Sequence, residues 1–186
     1  MKKTYLAAAV AAAMLPALAS AEGLNYNYVD AGLAILDSGN QTFIGPDLRG
    51  SYSINEDVFL YGGLRILSDD LDYTNLYVGG AYRFGLDDKT DLWVGGNLEH
   101  QEVEVTVGPF TNSADDTAIA LRGGMRHQLN SDLEVGANAR IVLGDFDYFG
   151  FGGYGRYKMS DNLSLKGELD IQDGDLGLVG GITYFF

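Results

Sequence analysis

Apolar and polar positions alternate with period two along most of the chain, the pattern of a strand whose two faces meet different surroundings. In Leu48-Arg49-Gly50-Ser51-Tyr52-Ser53-Ile54 the even positions are apolar or Gly and the odd ones polar. The same alternation runs through 76–84, 133–141 and 163–171. Extended along the chain, it predicts ten strands, near 24–36, 42–54, 58–67, 73–85, 91–107, 116–128, 132–144, 147–158, 162–172 and 176–186. Each carries a mid-strand glycine, and six of these are Gly-Gly pairs; glycine weakens a flat strand but permits the bend that closes a small barrel. The connections repeat as well. Ile54-Asn55-Glu56-Asp57-Val58, Leu129-Asn130-Ser131-Asp132-Leu133 and Met159-Ser160-Asp161-Asn162-Leu163 are near-copies of one polar turn, and 86–90 is a longer variant. Short Asn, Asp and Ser side chains suit such turns because they bond the local backbone. The repeat unit is therefore a hairpin, with the longest connection on the opposite side at 108–115.

Alternation alone leaves open which face meets water. A soluble barrel buries its apolar face inside, and a membrane barrel turns it outward. The N-terminus bears on the choice. Lys2 and Lys3 precede a 13-residue apolar stretch at 6–18, and Ala19 and Ala21 occupy the −3 and −1 positions of a small-residue cleavage site. This predicts a signal peptide over 1–21 and a mature chain from Glu22. The apolar stretch is too short for a stable membrane-spanning helix. The absence of Cys excludes a lipobox and suits an oxidising periplasm.

The last strand points outward too. Leu178, Gly180, Ile182, Tyr184 and Phe186 alternate up to a C-terminal Phe. Gly181, Tyr184 and Phe186 resemble the terminal assembly signal of bacterial outer-membrane proteins, a Gly-x-x-hydrophobic-x-aromatic pattern; where that signal usually has a polar residue, this chain has Val179. Tyr52, Tyr82, Phe84, Tyr157, Tyr184 and Phe186 lie in the apolar phase near the short-turn ends, where an interfacial aromatic girdle belongs. The whole mature chain resembles small outer-membrane β-barrels of the OmpX and OmpA-transmembrane-domain type, and its start, 22–32, is similar to small outer-membrane proteins of xanthomonads. OmpX-type barrels have eight strands against the ten counted here. The resemblance implies an outer-membrane location, both termini in the periplasm, contact with outer-membrane lipid and lipopolysaccharide, and recognition of the last strand by the outer-membrane assembly machinery. The expected fold is an all-β, transmembrane, antiparallel up-and-down barrel of about ten strands over 22–186, or eight if two hairpins merge. In strand 5 the apolar phase shifts from Leu92–Leu98 to Val103–Val107, which predicts a bulge at 100–102 or an extension beyond the membrane.

Charge sharpens the picture. Removing the signal peptide, with two Lys and no acid, takes the net charge from −14 to −16, which argues against nucleic-acid binding. Nine of the ten mature basic residues lie in the polar phase: Arg49, Arg65, Arg83, Arg122, Arg126, Arg140, Arg156, Lys158 and Lys166. Six acids share it: Asp30, Asp47, Glu99, Glu134, Glu168 and Asp170. Two readings follow. One is a salt-bridged plug of side chains, since desolvated charges must pair. The other is a thin, slightly cationic water path, with room left by Gly79, Gly95, Gly136 and Gly152 among Phe59, Tyr61, Tyr77, Trp93 and Tyr154.

Twelve further acids fall at the extracellular side, among them Asp37, Asp69, Glu102, Asp115, Asp145 and Asp173, with no Lys or Arg beside them. Capture of lipopolysaccharide phosphate by a basic cluster is thereby disfavoured, while weak binding of Ca²⁺ or Mg²⁺ by acidic tips stays open. No cofactor motif is present. The only histidines, His100 and His127, take the lipid-facing phase near opposite ends and cannot share a site; Asp145-Phe146-Asp147 is a weak general-base pattern. The sequence therefore predicts a non-enzymatic structural or surface-interaction role, with a narrow passive channel as the alternative and a barrel enzyme as a distant third.

Overall fold

The computed structural model describes residues 24–186 apart from Asn40, Asp70 and Pro109, and Val107 by its backbone alone; the cleavage region around Ala19, Ala21 and Glu22 lies outside the described residues. Ten antiparallel strands make one sheet: β1 (Tyr28–Ser38), β2 (Gln41–Ser53), β3 (Val58–Ser68), β4 (Asp72–Asp87), β5 (Thr90–Val107), β6 (Phe110–Gln128), β7 (Leu133–Leu143), β8 (Tyr148–Lys158), β9 (Leu163–Gln172) and β10 (Asp175–Phe185). Each pairs with its neighbours in sequence, and β1 pairs with β10 from Tyr28↔Phe185 to Asp37↔Leu176, closing the barrel. Closure is what lipid demands, because an open sheet edge would leave backbone N–H and C=O groups without partners in hydrocarbon.

The two faces are inverted relative to a soluble protein. Outward positions carry exposed Leu33, Ile35, Val78, Leu98, Leu121, Phe151, Leu165, Leu178 and Ile182, with Leu33 at 62% and Val78 at 63% exposure. Inward positions bury Asp30, Asp47, Glu99, Glu134, Arg140, Arg156 and Glu168. An apolar belt outside a charged interior is stable only if the outside meets lipid. Seven strands have 10–13 residues, near the 9–11 that a tilted strand needs to span. Tyr52, Tyr82, Phe84, Tyr157 and Tyr184 are exposed at the end that holds both termini, and Tyr82 and Phe84 rings lie 4.8 Å apart.

The repeated turns at this terminal end share one hydrogen bond. The N–H groups of Ile54, Leu129 and Met159 donate to the carbonyls of Val58, Leu133 and Leu163 at 2.8–2.9 Å. Asn55 Oδ1 accepts from Asp57 and Val58, and Asn130 Oδ1 likewise from Asp132 and Leu133. At the other end, Asp173 (φ 49°) and Gly174 (φ 97°) form a two-residue turn with both central residues left-handed, the Asp-Gly hairpin geometry that matches strand twist.

Three expectations change. β1 starts at Tyr28, and 24–27 leave the sheet: Leu24 and Tyr26 are buried against Phe59 and Ala81, flanked by Tyr61 and Trp93. The apolar period there reflects packing at the barrel's mouth, not a strand. β6 begins at Phe110, so the long connection of 108–115 shrinks to a turn through Gly108 (φ 61°). Residues 110–118 pair with β5 but not with β7, which joins at Ile119↔Leu143. Both faces of β6 are exposed over 110–115, so apolar alternation is lost there and pattern cannot find the strand. β5 has no bulge at 100–102; its pairing with β6 is unbroken, and its phase shift marks the extension. The register shift lies instead at Gly85/Asp87.

Close strand approach requires glycine at Gly95, where a Cβ would meet the Gly80 carbonyl and lie 2.6 Å from Ala81 Cβ. Gly95→Val is expected to destabilise the barrel by about 1–3 kcal/mol through overpacking. Denaturant titration in detergent, followed by fluorescence of Trp93, measures the loss.

Candidate functional site

The inward face is one continuous side-chain network. From the terminal end, Arg126 makes a two-bond fork with Glu134, both at 3.0 Å, and Glu134 accepts a third bond from Arg156 at 3.1 Å. Arg156 passes to Asp30 (3.1 Å), which accepts from Lys166 (2.7 Å) and from Thr183 (2.6 Å). Lys166 bridges to Glu168 (2.9 Å), Glu168 to Arg49 (2.9 Å) and Arg49 to Asp47 (2.7 Å). Asp47 pairs with Arg65 (2.6 Å), and Arg65 with Asp170 (3.3 Å). Asp170 is forked by Arg140 (2.7 and 3.0 Å). Arg140 bonds the Tyr148 hydroxyl, which donates to Glu99 at 2.6 Å, and Glu99 ends the run on Arg122. Seven bases and six acids are thus linked through strands distant in sequence. Only the closed barrel brings Asp30 of β1 to Lys166 of β9.

Such pairing is the condition for burying these charges at all. Glu99 has no exposed surface and Arg126 and Arg156 are 3% exposed. A lone ion so placed would carry a desolvation penalty of several kcal/mol, offset here by two or three charge-assisted bonds each. Aromatic rings supply the remainder. Arg122 lies 4.1 Å from the Tyr77 ring centre, Arg126 4.2 Å from Tyr26, and Arg156 4.3 Å from Tyr28.

Of the sequence-predicted lumen residues, Asp47, Arg49, Arg65, Glu99, Arg122, Arg126, Glu134, Arg140, Arg156, Lys166, Glu168 and Asp170 meet in this run. Arg83 stands apart at the terminal end, bonded to the Glu56 and Leu24 carbonyls and 3.5 Å from Asp91. Lys158 does not belong to the lumen. It sits at the last residue of β8, where the barrel opens, and pairs with exposed Asp161 at 2.9 Å. Asp91, Asn75, Asn97, Tyr148 and Thr183 are lumenal partners that the sequence reading left out. All lie in the polar phase, but uncharged residues and a strand-end Asp gave no charge signal.

Of the glycines expected to leave room for water, Gly79, Gly95 and Gly152 lie close against the neighbouring strand, and Gly136 admits a side chain. Gly136, Gly63, Gly124 and Gly150 stand directly across from Tyr154, Tyr77, Trp93 and Arg140. Each partner lies flat where a Cβ would be, with Tyr77 at 2.7 Å and Trp93 at 2.8 Å from that position. Among the described residues, the side chains still leave cavities of about 40 and 100 Å³, each with room for ordered water.

At the far end, two acids hold loops. Asp116 Oδ2 accepts from the N–H groups of Asp145 (2.7 Å) and Phe146 (3.1 Å), and Asp173 Oδ1 from Phe149 (3.0 Å). Among the described residues, no group of three or more His, Asp or Glu is placed to hold a metal ion. His100 bonds Thr117 and His127 bonds Thr90, ten ladder positions apart on β5–β6. Asp145 and Asp147 are exposed and face no histidine partner in these bonds. In the C-terminal signal, Gly181 lies across the closing seam from Gly32, a Cβ on it falling 2.6 Å from the Gly32 Cα; Tyr184 faces outward, and the Phe186 N–H donates to the Asn27 carbonyl at 3.1 Å.

The sequence profile of the outer membrane protein beta-barrel domain matches residues 5–148. The chain belongs to this family of outer-membrane barrels. No curated protein matches the sequence. Among solved structures, the barrel is similar to the KdgM porin in complex with disordered oligogalacturonate, at 13% identity and TM-score 0.51, covering 86% of this chain and 99% of that one. It is also similar to neisserial surface protein A, at 14% identity and TM-score 0.50, covering 86% and 96%. At such identities the likeness is one of fold.

Removing one carboxylate from the network leaves its bases buried and unpaired. Glu134→Gln is expected to destabilise this outer-membrane barrel by about 3–5 kcal/mol, because Arg126 loses the carboxylate that forks it and Arg156 keeps only Asp30. Lys158→Gln, at the exposed pair, is expected to stay within about 1 kcal/mol of the parent. Unfolding midpoints in one detergent compare the two.

Proposed function

We propose that this protein is a non-enzymatic outer-membrane barrel with a structural and surface-interaction role, its lumen locked by charge pairing. The observation that carries this reading is the unbroken run of bonded side chains from Arg126 to Arg122. A conducting pore needs a water path, and here most of the charged side chains' donors and acceptors are spent on one another. In this reading the terminal end faces the periplasm, β10 is the strand that the assembly machinery recognises, and the aromatic girdle sits among lipid headgroups. The β5–β6 hairpin then rises on the cell-surface side. Its β6 flank over 110–118 is paired on one side only and offers backbone groups to a protein partner.

The second reading is a narrow passive channel. It draws on the two cavities, which share Arg49, Tyr77, Arg122 and Glu168 in their walls, so a shift of these side chains would join them. What the KdgM porin is called applies to that protein.

Planar-bilayer recording on refolded 22–186, with insertion confirmed separately, decides between the two. No resolved current steps are expected; reproducible steps would overturn the locked-lumen reading. Orientation has its own test, because the chain has no Cys. Ser113→Cys, on the hairpin, is expected to react with a membrane-impermeant maleimide on intact cells, and Ser131→Cys, in a terminal-end turn, only after the outer membrane is permeabilised.

A further inference from the structure

The lumen network does not balance. Among the described residues it joins seven bases to six acids, and the separate Arg83–Asp91 pair is neutral. One positive charge is left over inside a wall whose outer surface is apolar. The run begins and ends on a base, and at the terminal end Arg126, Arg156 and Lys166 share Glu134 and Asp30 before it passes to Glu168. An uncompensated charge of this kind is costly to bury, and water offsets it only in part.

The same place holds the larger cavity. Arg126, Arg156 and Lys166 line it, together with Tyr26, Tyr28 and Tyr154. Arg126 spends Nε and Nη2 on Glu134, and Arg156 spends Nη1 and Nη2 on Glu134 and Asp30. Arg126 Nη1 and Arg156 Nε are buried and have no hydrogen-bond partner. Tyrosine rings cover the guanidinium faces, so what these groups still lack is an in-plane acceptor. Two buried unpartnered donors and a cavity of about 100 Å³ therefore coincide within a lumen that carries excess positive charge.

We propose that this cavity binds a resident monovalent inorganic anion, with chloride as the probe, held by Arg126 Nη1 and Arg156 Nε. A halide is close to water in size and fits with a few waters beside it, whereas a sugar acid does not. It would neutralise the lumen and accept both free N–H groups, which a water accomplishes only for the hydrogen bonds. The site needs no conduction and goes beyond the role proposed above: a counter-ion built into the folded barrel.

Crystals of the mature barrel grown with bromide in place of chloride test the site directly. The expected result is an anomalous peak within hydrogen-bonding reach of Arg126 and Arg156; density there without anomalous signal would mean water and overturn the proposal. In solution, the unfolding midpoint is compared in chloride and in gluconate, which is too large for the cavity, at constant ionic strength. A rise that follows the logarithm of chloride concentration is expected, as for a ligand that binds only the folded state. Equal midpoints, or a rise linear in chloride concentration, would overturn it. Arg126→Gln, which removes the surplus charge and one donor, is expected to abolish the chloride dependence; a variant that kept it would also count against the site. If that variant does not fold, the bromide peak and the parent's chloride titration still decide.

Discussion

Backbone polar groups cannot go unpaired in hydrocarbon, and that constraint organises everything else in this molecule. It forces the ten strands to close on themselves, which they do where β1 meets β10 and Gly32 faces Gly181. Closure in turn fixes a narrow interior. Side chains from all ten strands share a space with room for only a few waters, so each charge that points inward must find its counter-charge on another strand. The apolar belt outside and the paired charges inside are two consequences of the same closed ladder.

The interior also ties distant parts of the chain together. Asp30 in β1 is held by Arg156 in β8 and Lys166 in β9, and Asp47 in β2 is linked to Asp170 in β9 through Arg65. Bonds across the lumen brace opposite walls in a way that neighbour-to-neighbour ladder bonds do not. Rings laid over cross-strand glycines fill the space that remains. A barrel built so is rigid at its middle, and freedom is left for what projects beyond the membrane, above all the β5–β6 hairpin.

Family membership and solved relatives of similar fold place the chain among outer-membrane barrels without choosing a task for it. The same architecture serves porins and surface proteins, because the sheet specifies only what lipid requires. What differs is the filling of the lumen and the length of individual hairpins. In this chain the filling is continuous and one hairpin is long, and these two features carry the functional reading.

The sequence alone favoured ten strands over eight, located the terminal-end turns and set in one phase the charged residues that the structure links, because period-two alternation and short Asn-containing turns are local signals. Its failures were equally local in cause. The hairpin at 110–118 was missed because a strand wet on both faces carries no apolar period, and Leu24 and Tyr26 were read as strand because packing at the barrel's mouth imitates one. Lys158 lies in the correct phase but beyond the end of the lumen, and phase carries no height. Which charge meets which, and whether glycine leaves a void or receives a ring, were settled only by the tertiary structure. Those facts depend on strand register and on contacts across the closed barrel, between residues more than a hundred positions apart, and no local pattern encodes them.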